Sequence, residues 1–181
     1  MPVCHDLFNY WRRNKEISPI KKAVRFLMLS NFSYLGNMDC FHLSIHNTKR
    51  IILSRIDAVK ELLYDTVISN KDYKVFLNVI HCRKATDRDR FFIYADPPYL
   101  NTTCSSYNTD KWTYEDSRNL FDILANYGCK FAISEFDSPL ILELTKKYKL
   151  DIINICERRN LKNRRNEILI TNYSESAMLF G

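Results

Sequence analysis

Residues 91–171 alternate between two periods, and that alternation limits the fold more than any other feature of the chain. Four short runs rich in β-branched or aromatic residues stand at 91–95 (Phe-Phe-Ile-Tyr-Ala), 130–134 (Lys-Phe-Ala-Ile-Ser), 151–155 (Asp-Ile-Ile-Asn-Ile) and 167–171 (Glu-Ile-Leu-Ile-Thr). Helical patterns fill the first two gaps, from Thr113 to Tyr127 with Tyr114-Glu115-Asp116 in an acidic first turn, and from Pro139 to Lys149. Strands separated by helices of this length make βαβ units, because a parallel neighbour needs a long crossover. The last two runs are joined by a polar stretch, Glu157 to Asn166, which has no helical patterning and predicts an antiparallel hairpin at the sheet edge. A weaker run, Tyr73 to Leu77, reads as a further short strand. The expected class is α/β, with a mainly parallel sheet ending β-α-β-α-β-β.

The first half follows helical spacing. Pro19 stands at a first helical position, where its missing N–H costs nothing, and an apolar face runs from Ala23 through Leu29 to an end near Asn31. A second helix, roughly Lys49 to Tyr64, carries Ile52, Ile56, Val59, Leu62 and Leu63 at three- and four-residue spacing. Between them, residues 31–47 are aromatic-rich and irregular, and read as a loop or short hairpin. The expected division is a helical region over 1–67 and an α/β region over 68–181.

Composition narrows the class. With 181 residues, 46% of them hydrophobic and 13% aromatic, the chain has the material for a packed core, which excludes disorder as the main reading. The formal charge of +6 favours a polyanionic partner. Six cysteines are scattered without a CxxC pair, and no histidine stands at ligand spacing, so no metal site is expected and a reducing, cytoplasmic setting is. The N-terminus is too polar for a secretory signal, and no apolar run nears the roughly 20 residues of a membrane span. Only Gly36, Gly128 and Gly181 occur, so no glycine-rich phosphate or dinucleotide loop can be written.

The chemistry gathers at Asp96-Pro97-Pro98-Tyr99, which leaves the carboxyl end of the first of the four strands, where open parallel sheets collect their ligands. Two prolines stiffen the turn and remove two backbone donors, leaving carbonyls that face outward. A carboxylate beside a preorganised carbonyl can accept both hydrogens of an exocyclic amine, and Tyr99 offers a ring on which a base could stack. An ordinary strand-to-loop turn would use the same residue types; the strand before, the tyrosine after and the helix following favour a site.

The run FFIYADPPYL, followed by KFAISEF and ERRNLKNRRNEILITNY, resembles the C-terminal part of the Dam-type (D12 class) DNA adenine-N6 methyltransferases. The likeness covers roughly residues 20–173. Within it, RFLMLSNFSYLG is similar to the helix leading into the family's target-recognition region, and Ile68 to Tyr73 resembles a short acidic-aromatic element before the DPPY strand. The resemblance implies a partial Rossmann-like methyltransferase sheet beside a reduced target-recognition region. It also implies that Asp96 and the Pro97 carbonyl bind the amino group of a flipped adenine, with Pro98 stiffening the turn and Tyr99 stacking on the base. S-adenosylmethionine is the implied cofactor, near Asp96, Asp72 and Tyr73, and double-stranded DNA the implied partner.

Arg158, Arg159, Lys162, Arg164 and Arg165 put five positive charges into eight residues. They read either as a solvated hairpin tip or, beside a DNA enzyme, as phosphate contacts that position the duplex. Arg12, Arg13 and Lys15 with Trp11 form a second cluster, read as exposed helix charge, and residues 102–108 after the corner are polar enough for a lid. The family's FxGxG cofactor loop is absent from these residues. The chain is therefore expected to need a cofactor-half polypeptide or a second copy covering a hydrophobic strand edge, Phe91 to Ala95. Alternatives are an inactive methyltransferase remnant serving as a DNA-binding or interaction module, and methylation of RNA or a protein amide.

Overall fold

The computed structural model describes residues 3–43, 49–81, 90–102, 111–160 and 163–174. The chain divides into two compact units, Met1–Asn70 and Lys71–Gly181.

The first unit is helical. Helix α1 (His5–Arg13) and α2 (Pro19–Asn31, with Pro19 in its first turn) are followed by a 3-10 turn at Tyr34–Gly36, and α3 runs over Lys49–Leu62. Residues 31–43 hold a short hairpin-like closure, with Ser33 bridged to Phe41. Phe8, Leu29, Phe32 and Ile52 form the core. Arg25 donates from Nε to the Trp11 carbonyl at 2.5 Å, a cation on the last carbonyls of α1, where the helix dipole favours it. Arg12 donates to the Asp39 carbonyl, so one cation of the expected exposed cluster ties two segments together. The apolar stripe of α3 is present by spacing, yet only Ile52 is buried; Ile56, Val59, Leu62 and Leu63 are exposed.

The second unit carries a four-stranded sheet: β1 (Phe92–Ala95), β2 (Lys130–Phe136), β3 (Asp151–Asn160) and β4 (Asn163–Thr171), in the order β1-β2-β4-β3. It is a mixed sheet. Only β1 and β2 pair in parallel, while β4 runs antiparallel to both β2 and β3. The mainly parallel sheet expected from sequence is thus corrected: the hairpin forms, but its second arm inserts between β2 and β3 rather than adding at the rim. Both arms also reach further into the polar stretch than their apolar runs, pairing as far as Asn160 with Asn163. The weak strand at Tyr73–Leu77 is instead part of helix α4 (Tyr73–His81). Its apolar residues Tyr73, Phe76 and Leu77 recur at helical spacing, and Asp72 caps it, the side chain accepting from the Lys74 N–H at 2.9 Å and the carbonyl from the Phe76 N–H at 2.9 Å.

Helix α5 (Tyr114–Ala125) opens with a reciprocal capping box between Thr113 and Asp116. The hydroxyl and N–H of Thr113 hold the Asp116 carboxyl below the usual carboxylate range. Helix α6 (Pro139–Lys147) starts on Ser138, whose side chain accepts from the Ile141 N–H. Leu120, Phe121 and Leu124 of α5 and Leu140, Ile141 and Leu144 of α6 bury against Phe131 and Ile133 of β2 and Ile168 and Ile170 of β4. This core holds β2 and β4 rigid. Among the described residues β1 forms the other edge of the sheet, and Phe92 and Tyr94 on it are 56% and 59% exposed. No helix among the described residues is long and apolar enough to cross a membrane.

Candidate active site

The chain leaves β1 at Ala95 and turns through Asp96-Pro97-Pro98 along the wall of a cavity of about 290 Å³. Tyr73 and Phe76 of α4, Tyr94 of β1, and Trp112 just before α5 supply aromatic walls, so the cavity is mainly apolar. The Trp112 indole N–H donates to the Ser117 hydroxyl at 2.9 Å, which fixes the ring. The Tyr73 ring lies 5.6 Å from Trp112. Burial, with the charges of Asp116 and Asp72, pushes the Tyr73 hydroxyl up to about 12, so it stays protonated. Asp96 is exposed, and among the described residues its carboxylate has no hydrogen-bond or ion-pair partner.

Tyr99 belongs to a different environment. Its hydroxyl lies 2.6 Å from the Ser134 hydroxyl and donates to Glu167 Oε1 at 3.0 Å, and its ring meets Phe136 edge-on at 4.8 Å. Burial raises the Tyr99 pKa well above the ordinary phenol range; Ser134 opposes this, while Glu167 and Asp96 add to it. Glu167, 8% exposed, also takes the Arg158 guanidinium at 2.5 Å. Burial works to raise the Glu167 carboxyl, but donation from Arg158 and Tyr99 outweighs it and leaves the group below its usual range.

The next residue turns to a second carboxylate. The Leu100 N–H faces both oxygens of Glu135 at 3.3 Å, and the Phe136 N–H donates to the same side chain at 2.8 Å. Glu135 is 1% exposed. That burial raises its pKa to about 7, against the backbone donors and Arg165, with the Asp96 charge contributing in the same direction as burial. Because side chains alternate across a strand, Ser134 and Phe136 serve one face of β2 and Glu135 the other.

Of the residues named from sequence, Asp96, Pro97, Pro98 and Tyr73 come together at the cavity. Asp72 is occupied as a helix cap, and the Tyr99 side chain points into the sheet-side network. The five cations also divide. Arg158 pairs with Glu167, and Arg165 reaches the Leu100 carbonyl at 3.2 Å and the Asn101 carbonyl at 3.4 Å. Arg164 is exposed, 3.8 Å from Glu157. Arg159 is placed by its backbone opposite Arg164, and Lys162 lies outside the described residues, as do positions 103–108 of the polar stretch read as a lid. Sequence reading missed Trp112, Ser134, Glu135 and Glu167. A carboxylate inside an apolar strand, as in KFAISEF and EILIT, was the signal available for the last two.

The cofactor fit is partial. Aromatic walls and one uncommitted carboxylate suit the reacting end of a sulfonium cofactor, whereas no glycine-rich loop stands in these residues to receive its carboxylate and sugar. A family model described as D12 class N6 adenine-specific DNA methyltransferase matches residues 5–161. That match starts earlier than the likeness at roughly 20–173, so it takes in the N-terminal helices. The Type II methyltransferase M1.LlaDCHI of Lactococcus lactis subsp. cremoris is 27% identical over 180 residues, covering 89% of this chain and 62% of that relative. The chain therefore spans under two thirds of the relative's length. With most of its length matched, this chain belongs to the family of D12 class N6 adenine-specific DNA methyltransferases.

Proposed function

We propose that the chain is the base-holding part of a DNA adenine-N6 methyltransferase, methylating duplex DNA in the cytoplasm. The observation that carries this is the exposed Asp96 carboxylate, without a hydrogen-bond or ion-pair partner among the described residues, in the wall of an aromatic cavity that Pro97 and Pro98 also line. At about 290 Å³ the cavity lies at the small end of the roughly 300–1,000 Å³ of ligand pockets, room for a base rather than for a whole nucleoside cofactor. The target adenine leaves the duplex to reach it, since its N6 is inaccessible inside the stack. Asp96 accepts one amino hydrogen and the Pro97 carbonyl the other. Both acceptors favour a pyramidal nitrogen and stabilise the positive charge it develops, and the stiff turn holds them in place beforehand. Pro98 keeps the turn rigid, while Tyr73 and Trp112 flank the base. Tyr99 steadies the corner from the sheet side in place of the stacking role its family position implies. S-adenosylmethionine, when bound, would supply a sulfonium-activated methyl group, with Asp96 and Tyr73 as the residues that would hold its reacting end.

In this reading residues 68–181 are the C-terminal half of a Rossmann-like methyltransferase domain, and residues 1–67 a reduced target-recognition part. A polypeptide bearing the FxGxG loop completes the sheet along Phe91–Ala95, where β1 pairs, among the described strands, with β2 on one side, and Arg164 with Arg159 and Lys162 contacts phosphates. The likeness to a Type II methyltransferase supports a restriction-modification setting.

The test is transfer of a labelled methyl group from S-adenosylmethionine to duplex DNA by this chain mixed with an FxGxG-bearing polypeptide of the family. Label on adenine N6 only when both are present supports the proposal. No label with DNA under any combination, with duplex binding retained, favours the inactive remnant. Label on RNA or protein overturns the substrate.

A further inference from the structure

Arg165 sits in the basic run, and sequence proximity alone groups it with its neighbours on the DNA backbone. Its guanidinium is instead spent on the main chain leaving the Asp96–Tyr99 corner. Nη1 donates to the Leu100 carbonyl at 3.2 Å and Nη2 to the Asn101 carbonyl at 3.4 Å, with the guanidinium carbon 5.4 Å from the centre of the Phe136 ring. From the other side, the N–H of the same Leu100 faces both oxygens of the buried Glu135 at 3.3 Å. One residue is thus gripped at its N–H by a carboxylate from β2 and at its carbonyl by a guanidinium from β4, and its side chain is itself buried.

We propose that Glu135 and Arg165 form a clamp on the Leu100 peptide that positions the adenine corner, and that Arg165 serves this clamp rather than a DNA phosphate. The chemistry suits the residue types. A planar guanidinium spans two successive carbonyls with separate N–H groups, which the point charge of a lysine does not reproduce. A buried carboxylate accepts from several backbone donors at once and holds them where water is excluded. Leu100 lies four residues past Asp96, so fixing it fixes the far end of the turn, and displacement of a reacting geometry by about 1 Å can cost about 10²-fold in rate. The clamp matters for catalysis only if the corner is the adenine site proposed above, but its existence can be tested without any activity.

The experiment is amide hydrogen exchange of the uniformly ¹⁵N-labelled full chain, together with the salt dependence of its binding to duplex DNA. Arg165→Ala should raise exchange at Leu100 and Thr102 about three- to tenfold, the loss of one ordinary hydrogen bond. Arg165→Lys should recover only part of that protection. Glu135→Gln, which keeps one acceptor and the side-chain volume, should raise exchange at Leu100 and Phe136. Arg164→Ala should leave all three amides unchanged and lower the salt slope of DNA binding by about one, as loss of a phosphate contact does. The clamp is overturned if Arg165→Ala leaves Leu100 and Thr102 at their wild-type rates, or if its main effect is a salt slope lowered by about one. Should DNA binding be too weak to give a slope, exchange alone decides. Methyl transfer unchanged in Arg165→Ala with the exchange effect intact would count against the adenine reading and leave the clamp standing.

Discussion

The two halves of the Asp96-Pro97-Pro98-Tyr99 corner stand in opposite conditions. Asp96, Pro97 and Pro98 line a mainly apolar cavity, and among the described residues the Asp96 carboxylate bonds to nothing. Tyr99 and the Leu100 that follows are held by Ser134, Glu167, Glu135 and Arg165, all from β2 and β4. Unspent hydrogen-bonding capacity is what a ligand site needs, and fully spent capacity is what a support needs. A short turn here separates the two along the chain, with the rigid β2–β4 pair carrying the supporting side.

The sharpest way to break that contrast is Asp96→Ala. With no partner lost in the fold, stability to urea should stay within about 0.5 kcal/mol of wild type, while methyl transfer by the chain mixed with an FxGxG-bearing polypeptide of the family should fall at least about 10²-fold. Large destabilisation would mean that the carboxylate is structural after all. Glu167→Ala acts on the other half, removing the acceptor of both Tyr99 and Arg158. A loss of about 1–3 kcal/mol is expected in urea unfolding, toward the lower end because Arg158 is 61% exposed and its charge is screened.

The two supporting carboxylates should also respond oppositely to pH. Glu135, raised to about 7 by burial, binds a proton more readily folded than unfolded. Its effect is greatest stability below the unfolded value near 4.5, declining as pH rises from there to about 7, by on the order of 1–3 kcal/mol. Glu167 is lowered, so its contribution is present above the usual carboxylate range and disappears as pH falls through its depressed value. Urea unfolding at pH 5 and 7.5 should show a decline in wild type that Glu135→Gln flattens; an equal decline in both would put the titration elsewhere. The smallest change is Tyr99→Phe, which keeps the ring on Phe136 and removes one hydroxyl. It should cost about 0.5–1.5 kcal/mol, and a loss as large as that of Glu167→Ala would mean that the hydroxyl carries the whole network.

The order of strands and helices from β1 to β4 was legible because burial on one face imposes its period on local residues. Pro19 and Pro139 mark their helix starts, and Tyr114-Glu115-Asp116 opens α5 as its acidity indicates. Helix α4 was misread because Val75, Phe76 and Leu77 suit either structure, and the Asp72 cap that decides between them was overlooked. The insertion of β4 beside β2 could not be read locally, since that pairing joins residues more than thirty positions apart. The same limit hid the support of the corner: Tyr99 and Glu167 are separated by 68 residues, Leu100 and Arg165 by 65. The pairing within the basic run is hidden for a related reason. Counting charges along a line ignores pairing, and the register sets Arg158 beside Arg165 on β3 and β4, within reach of Glu167 and the corner.

The cavity beside Asp96 can be probed as a purine site through its tryptophan. The chain has two tryptophans, and only Trp112 lines the cavity, while Trp11 lies in the helical unit and serves as an internal reference. Titrating the ¹⁵N-labelled chain with adenosine should move the Trp112 indole signal saturably and leave that of Trp11 in place. A Trp112 signal that stays fixed to the limit of adenosine solubility, or one that moves no more than Trp11, would contradict the assignment of this corner to a nucleobase.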